Sequence, residues 1–300
     1  FFVTIAAAMV PFGQAVGRAF GTESPLRDYI ANIFGSICGI LLFFIISWFS
    51  LPAWSWFLIG FPLIPVIATP ESAGDRAAHR TKLVTALIGV LVVVVVWYSD
   101  RDTIWSPYHK LEVTAAAIEV ETGELAPYLG QGRNTRPLPF EVGFSLRVNN
   151  DFFQAPVDLT DAVLARYPGL GGIRELYDLP YRLKPNPERV LIVGAGTGND
   201  AAAALRSGAR QVDVVEIDPE IVAIGRQYHP EQPYSDPRVT VYVDDARHFF
   251  HRADPGYDLV IFGYLDSHRL LSAMSSLRLD SFVFTVESFQ EVRQLLAPSG

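Results

Sequence analysis

Residues 190–200, Val-Leu-Ile-Val-Gly-Ala-Gly-Thr-Gly-Asn-Asp, constrain this chain more than any other stretch. Four apolar residues, three of them β-branched, run without polar alternation. Such a run reads as a strand covered on both faces, as in a parallel sheet. Gly194, Gly196 and Gly198 then alternate through a turn that needs positive φ and lets a ligand approach bare backbone. Ala201–Leu205 follows as a strong helix former, and the start of that helix offers free N–H groups and a positive dipole end. A second apolar run, 212–217, delivers Glu216 about twenty residues downstream, the spacing at which an acid grips a ribose. The stretch predicts a nucleoside-binding α/β site.

The same period continues to the end of the chain. Strands are expected at 190–193, 212–217, 238–243 and 258–262, alternating with helices at 199–208, 219–228, 245–252 and 285–296. That order predicts a doubly wound, Rossmann-like parallel sheet over 189–300, with its terminal strands lying past Gly300. Ligands of such sheets bind beyond the carboxyl ends of the strands. Gly194–Gly198, Glu216, Asp244-Asp245 and Gly263–Asp266 all fall there. Residues 106–157 alternate apolar and polar positions and carry turns at Thr122-Gly123 and Asn149–Asp151, so they predict a small antiparallel sheet. Gln154, just after a tight turn, is a candidate ligand contact from that sheet. Residues 170–188 are expected to be an irregular lead into the central strand.

Upstream, residues 29–50, 53–69 and 83–98 contain no charged side chain, and residues 1–17 resemble the remainder of another such segment. Each full segment is near the roughly twenty residues that a spanning helix needs. One could be a signal peptide, but not four. Trp48, Trp54, Trp56 and Trp97 sit near segment ends, where amphipathic rings favour the bilayer interface. The expected organisation is therefore membrane helices over 1–99, a β-rich part over 100–188 and the nucleoside-binding part over 189–300. Arg18, Arg27, Arg76, Arg80 and Lys82 lie in the loops of one side, with Arg101 and Lys110 on the other. Counting charges puts the C-terminal part outside. A cytosolic nucleoside ligand puts it inside, and the expectation follows the ligand: a multi-pass protein of the inner (cytoplasmic) membrane with a cytosolic soluble part. Cys38 falls within a span and says nothing about redox compartment.

At the site itself, Glu216 is placed to accept both ribose hydroxyls. Asp245 either caps the following helix or takes the adenine amine, with Val243 and Ala246 as an apolar rim, and the two roles are compatible. Ile217 and Asp244 complete the strand-end set. Asn199 stands where a dinucleotide site has its third glycine, which disfavours a nicotinamide enzyme. His248 and His251 are three apart on a helix, but no acid or cysteine nearby in sequence completes a ligand set, so no metal is expected. A nucleophile elbow and a phosphate-binding lysine are both missing. The net charge of −8 comes with no basic patch, so nucleic acid is not an expected partner.

These residues reach a resemblance. Val190–Gly198, Val215–Glu220, Asp236–Val239, Asp245-Ala246, Tyr257–Val260 and Phe284-Thr285-x-Glu287 are similar to the spermidine synthase (polyamine aminopropyltransferase) family. Ser106-Pro107-Tyr108 and Asn150-Asp151-x-x-Gln154 resemble that family's N-terminal β-domain more faintly, and the membrane part resembles its multi-spanning variants. The resemblance implies a class I S-adenosylmethionine-dependent methyltransferase fold. It also implies S-adenosylmethionine or its decarboxylated form as co-substrate, a small-molecule acceptor such as a polyamine, and a homo-oligomer.

Two departures matter. The family carries Gly-Gly-Gly-Asp-Gly in the first loop, where the Asp holds the aminopropyl amine; this chain has Thr197. It carries Asp-Ser-x-Asp-Pro after the fourth strand, the first Asp being linked to amine deprotonation; this chain has Gly263, keeps Asp266, and continues Ser267-His268. Removing a positioned base typically loses 10²–10⁴-fold in rate. Asp266 is expected to hold an amine or act as substitute base, with Tyr264 and His268 as lesser candidates. Thr197 is expected to admit intact S-adenosylmethionine, whose carboxylate an Asp would repel. The expected activity is aminopropyl transfer with release of methylthioadenosine. The alternatives are cyclisation or elimination of S-adenosylmethionine, methyl transfer, and a non-catalytic nucleoside sensor.

Overall fold

The computed structural model describes residues 24–63, 75–126, 134–263 and 282–298, together with Gly300 and scattered positions before residue 24. It divides into two compact units, 1–102 and 103–300.

In the first unit, helix α1 runs over Pro25–Trp48, α2 over Ala53–Gly60 and α3 over Asp75–Ser99. Pro25 opens α1, where its missing N–H costs nothing. Pro25–Trp48 and Lys82–Ser99 are long and apolar enough to cross a membrane. Their large side chains point outward: Phe44 is 59% exposed and Leu91 63%, the reverse of a soluble core helix. The expected segment over 53–69 is different. Its helix stops at Gly60 and passes into a 3₁₀ turn, Phe61–Leu63, because Pro62 cannot donate to a continuing helix. Residues 64–69 of that segment, and most of 1–17, lie outside the described residues. Gly89 of α3 receives the Phe61 ring, which a Cβ would meet at 3.1 Å.

The second unit is mixed α/β. Its main sheet contains β8 (Arg189–Val193), β9 (Gln211–Glu216), β10 (Val239–Val243) and β11 (Leu259–Phe262), ordered β10-β9-β8-β11 and all parallel. Side chains of β8 alternate between two cores, as the pleat requires. Val190 and Ile192 pack with Ala201 and Ala204 of α6 (Asn199–Arg206); Leu191 and Val193 pack with Phe249 and Phe250 of α8 (Ala246–Phe250) and with Val292 of α9 (Val286–Leu295). All four β8 residues from 190 to 193 have no exposed surface. The chain leaves β8 for β9 on one side and returns as β11 on the other, so a crevice opens at the carboxyl end of β8.

The β-rich part precedes this sheet. Strands β1 (Thr103–Trp105), β2 (Lys110–Ala115), β6 (Phe144–Val148) and β7 (Asp151–Gln154) form one antiparallel sheet in the order β1-β2-β6-β7. A smaller sheet is ordered β4-β3-β5, from β3 (Ala117–Glu119), β4 (Leu125–Ala126) and β5 (Thr135–Pro137). Asn149 and Asn150, both at positive φ, make the β6–β7 turn. Leu111, Phe144 and Leu146 share a core with Ile221 and Ile224 of α7 (Pro219–Tyr228), which fuses the β-rich part to the parallel sheet. A register shift between Leu146 and Arg147 re-aims the end of β7, where Gln154 sits.

Residues 170–188 are not irregular. Gly171–Leu183 form helix α5, with Pro180 inside it. Its core-facing positions, Ile173, Tyr177 and Tyr181, recur at helical spacing. Gly171-Gly172 and Pro180 masked that period.

Candidate functional site

The glycine loop is built as its residues demand. Gly194, Gly196 and Gly198 have φ of 70°, 57° and 115°, a region that side chains with a Cβ rarely adopt. Tyr234 donates its buried hydroxyl to the Gly196 carbonyl at 2.7 Å, holding the loop from beneath. Glu216 holds it from the β9 side. Its Oε2 accepts the Gly196 N–H at 2.8 Å and its Oε1 accepts the Asp218 N–H at 3.1 Å. Burial raises the Glu216 pKa, and those two N–H groups counter the rise. Each carboxylate oxygen keeps lone-pair capacity for a ligand.

Glu216 lines a cavity of 160 Å³ with Ile217, Ile221, Asp245, Ala246 and Phe282. His109, Phe153 and Gly194 also border it. Asp245 is an N-cap: its side chain accepts the His248 N–H at 3.1 Å. The cap leaves its other oxygen for the cavity. Asp244 lines the same cavity, but its carboxylate is engaged by Arg252, by His248 Nδ1 and by the Asp245 N–H. Val243, expected on the rim, is half exposed and is not part of the lining. Phe282 and Val283, together with Ile217, supply apolar surface there instead. The residues fit an adenosyl group, with carboxylate acceptors for hydroxyl and amine donors and apolar side chains in the same lining.

Thr197 is placed differently from expectation. It is fully buried and lines neither cavity of the site. Its hydroxyl and its N–H both donate to Gln154 Oε1, at 2.7 and 3.0 Å. The threonine therefore fixes Gln154. Gln154 in turn lines a second cavity, of 240 Å³, beside Gly194 and Gly196. Gly263 is also a packing residue. Its N–H donates to the Val193 carbonyl at 2.8 Å, and a Cβ there would stand 2.4 Å from the Gly194 oxygen. Asp266, Tyr264 and His268 lie outside the described residues. Among the described residues, no group of three or more His, Cys, Asp or Glu side chains is gathered as for a metal ion.

Sequence reasoning gave several contributors no role in supporting the site. Ser106 donates to Asp218 Oδ2 at 2.6 Å across 112 residues, tying the β-rich part to the end of β9. Tyr108 faces the same acids: burial raises its pKa first, and the charges of Asp218, Asp245 and Glu216 add to the rise. Asn199 bonds the Ala155 carbonyl, the Tyr177 hydroxyl and His229 Nε2. His229 has no exposed surface, and its Nδ1 accepts the Glu231 N–H, so Nε2 carries the proton. Burial, with the Arg206 charge second, lowers its pKa to about 3.

A pH prediction follows from His229. The unfolded chain takes up this proton near pH 6.5 and the folded chain only near 3. Stability is then present above 6.5 and is lost as pH falls through that window, by up to about 1.4 kcal/mol per pH unit. His229→Gln should flatten the acid limb of urea midpoints between pH 6.5 and 4. An unchanged slope would assign the acid sensitivity elsewhere.

Comparison with known proteins bears on this geometry. Residues 173–300 match the spermine/spermidine synthase domain. A polyamine aminopropyltransferase of Streptococcus uberis is 41% identical over 86 residues, 28% of this chain and 30% of the relative. Putrescine N-methyltransferase 3 of Nicotiana tabacum is 30% identical over 179 residues, 52% of this chain and 45% of the relative. The chain thus spans less than half the length of these two relatives. A solved spermidine synthase in complex with the transition-state analogue AdoDATO is 18% identical, with a TM-score of 0.40 over 52% of this chain and 48% of that one. The part of the synthase-type domain before residue 264 carries the glycine loop, Glu216 and Asp245. Gln154 and Ser106 reach it from outside the matched residues.

Proposed function

We propose that this chain is a membrane-anchored transferase that binds an adenosylmethionine-type co-substrate, transfers its aminopropyl group and releases methylthioadenosine. The observation that carries this reading is the cavity between Glu216 and Asp245, where a carboxylate held by two backbone N–H groups faces an apolar wall. The names of the relatives, all transferases acting on amines, agree with it. When bound, the co-substrate supplies a sulfonium whose adjacent carbon is open to attack. Glu216 would hold the ribose, Asp245 the adenine amine, and the glycine loop would lie along the group between them. The acids around the cavity supply a negative field for a cation. Membrane anchoring is supported by the two long apolar helices with outward-facing side chains, and a cytosolic co-substrate favours a cytosolic second unit.

Methyl transfer is the second reading, favoured by the similarity to putrescine N-methyltransferase and by the absence of acids at 197 and 263. The test is product identity. Purified protein is supplied with S-adenosylmethionine or its decarboxylated form, with and without putrescine or spermidine. Aminopropyl transfer predicts methylthioadenosine that forms only with the amine, whereas methylthioadenosine formed without it would show cyclisation or elimination of the co-substrate. S-adenosylhomocysteine would show methyl transfer, and binding without turnover would show a sensor.

A further inference from the structure

The glycine loop and the start of α6 hold the end of β7 through two side chains, and one of them decides which way an amide faces. Thr197 places two donors, its N–H and its hydroxyl, 3.0 and 2.7 Å from a single atom of the Gln154 side chain. A backbone N–H can only donate, so that atom is the carbonyl oxygen Oε1. Turned over, the amide would set its NH2 against the N–H, and two donors would face each other without an acceptor. Gly196 gives the amide room, since a Cβ there would meet Oε1 at 2.7 Å and Nε2 at 3.4 Å.

The main chain beside Gln154 is fixed as well. Asn199 Nδ2 donates to the Ala155 carbonyl at 2.9 Å. Asn199 is itself oriented by His229, whose Nε2 donates to Asn199 Oδ1 at 3.0 Å because its Nδ1 accepts the Glu231 N–H. With Oε1 bound to the loop, the planar amide of Gln154 has one polar branch left, the NH2 of Nε2. Among the described residues that group has no hydrogen-bond partner. Gln154 lines the 240 Å³ cavity with Gly194 and Gly196, and that cavity adjoins the adenosyl one at Gly194 and Phe153.

We infer that Gln154 is a specificity-determining residue whose NH2 donates to the carboxylate of the co-substrate's amino-acid head, with Thr197 as the positioning residue that fixes the amide. The chain then selects intact S-adenosylmethionine over its decarboxylated form. Thr197 acts on this choice without touching the ligand: a donor at 197 turns the oxygen of Gln154 inward and leaves the NH2 outward. An NH2 suits a carboxylate and offers nothing to an ammonium. Asp200 shares the lining, and its charge suits the ammonium that both forms of the head carry, so it acts on both alike. The ligand is named on the adenosyl reading of the neighbouring cavity; the orientation of Gln154 stands without it.

The experiment is calorimetry on the full chain in detergent with methylthioadenosine, S-adenosylhomocysteine and decarboxylated S-adenosylhomocysteine, none of which carries a sulfonium to react. Wild type should bind S-adenosylhomocysteine tighter than its decarboxylated form by about tenfold or more, as expected of a hydrogen bond to a charged group. Gln154→Glu keeps an oxygen for Thr197 and replaces the NH2 by a charged oxygen. The preference should therefore reverse, while methylthioadenosine stays within about twofold of wild type. Gln154→Met has neither donor nor charge and should remove the preference without reversing it. Thr197→Val leaves the amide one anchor in place of two and should narrow the preference, whereas Thr197→Ser keeps the hydroxyl and should retain it. Equal affinity of wild type for the two heads, or a preference that survives in Gln154→Glu or Gln154→Met, would overturn the assignment of Gln154. So would a loss in Gln154→Glu that falls on all three ligands alike. Thr197→Val binding like wild type would remove the positioning role of Thr197. Failure of wild type to bind any of the three would overturn the adenosyl reading itself, and with it the ligand named for Gln154.

Discussion

Glu216→Ala is expected to weaken methylthioadenosine binding by roughly ten- to a hundredfold, because a hydrogen bond to a charged acceptor contributes about 1.5–3 kcal/mol. The loss has two sources. The ribose loses its acceptor, and the Gly196 and Asp218 N–H groups lose theirs, so the glycine loop loosens as well. Glu216→Gln separates them. It keeps one oxygen acceptor for a backbone N–H but gives up the charge and the second acceptor, so it should fall between wild type and alanine. Asp245→Ala should act more weakly on the fold, costing about 1 kcal/mol for the lost cap, while still reducing adenosyl affinity. Isothermal titration at one salt concentration, with melting curves for each variant, checks all three. Unchanged affinity in Glu216→Ala would remove the ribose assignment.

The second large effect concerns Gly263. Restoring the family's acid by Gly263→Asp should not restore a base. Any Cβ at 263 stands 2.4 Å from the Gly194 carbonyl oxygen, and the backbone of both residues is held, Gly263 N–H to β8 and Gly194 N–H to β9. Backbone has to move, and overpacking of this kind costs about 1–3 kcal/mol. The movement falls on Gly194, which lines both cavities, so adenosyl binding should weaken. Gly263→Ala carries the same Cβ without the charge and should reproduce most of the loss. The melting temperature should drop by several degrees in both variants, on the order of 5 °C. Should Gly263→Asp melt like wild type and release methylthioadenosine faster with polyamine than wild type does, the glycine is a lost catalytic position and not a packing one.

Much of the parallel sheet was legible because its signals are local. Uninterrupted β-branched runs marked the strands, and alternate glycines marked the loop. Asp245 before Ala246 marked a cap. Helix α5 was hidden because glycine and proline, which ordinarily end helices, lie at its start and within it. The site's supports were hidden for another reason. Ser106 meets Asp218, and Gln154 meets Thr197, across 112 and 43 residues, and a spacing argument does not reach that far. Thr197 was read as facing a ligand because it stands where the resembled family has the Asp that holds the aminopropyl amine. The fold turns its side chain inward, where a β-branched residue with one hydroxyl is easily satisfied.

The most direct test of the adenosyl site is amide hydrogen exchange of the wild-type chain with and without saturating methylthioadenosine. The account predicts added protection in three separated segments, 194–198, 216–218 and 244–246, with the pattern lost in Glu216→Ala. Binding that leaves those segments unprotected, or protection confined to other parts of the chain, would contradict it.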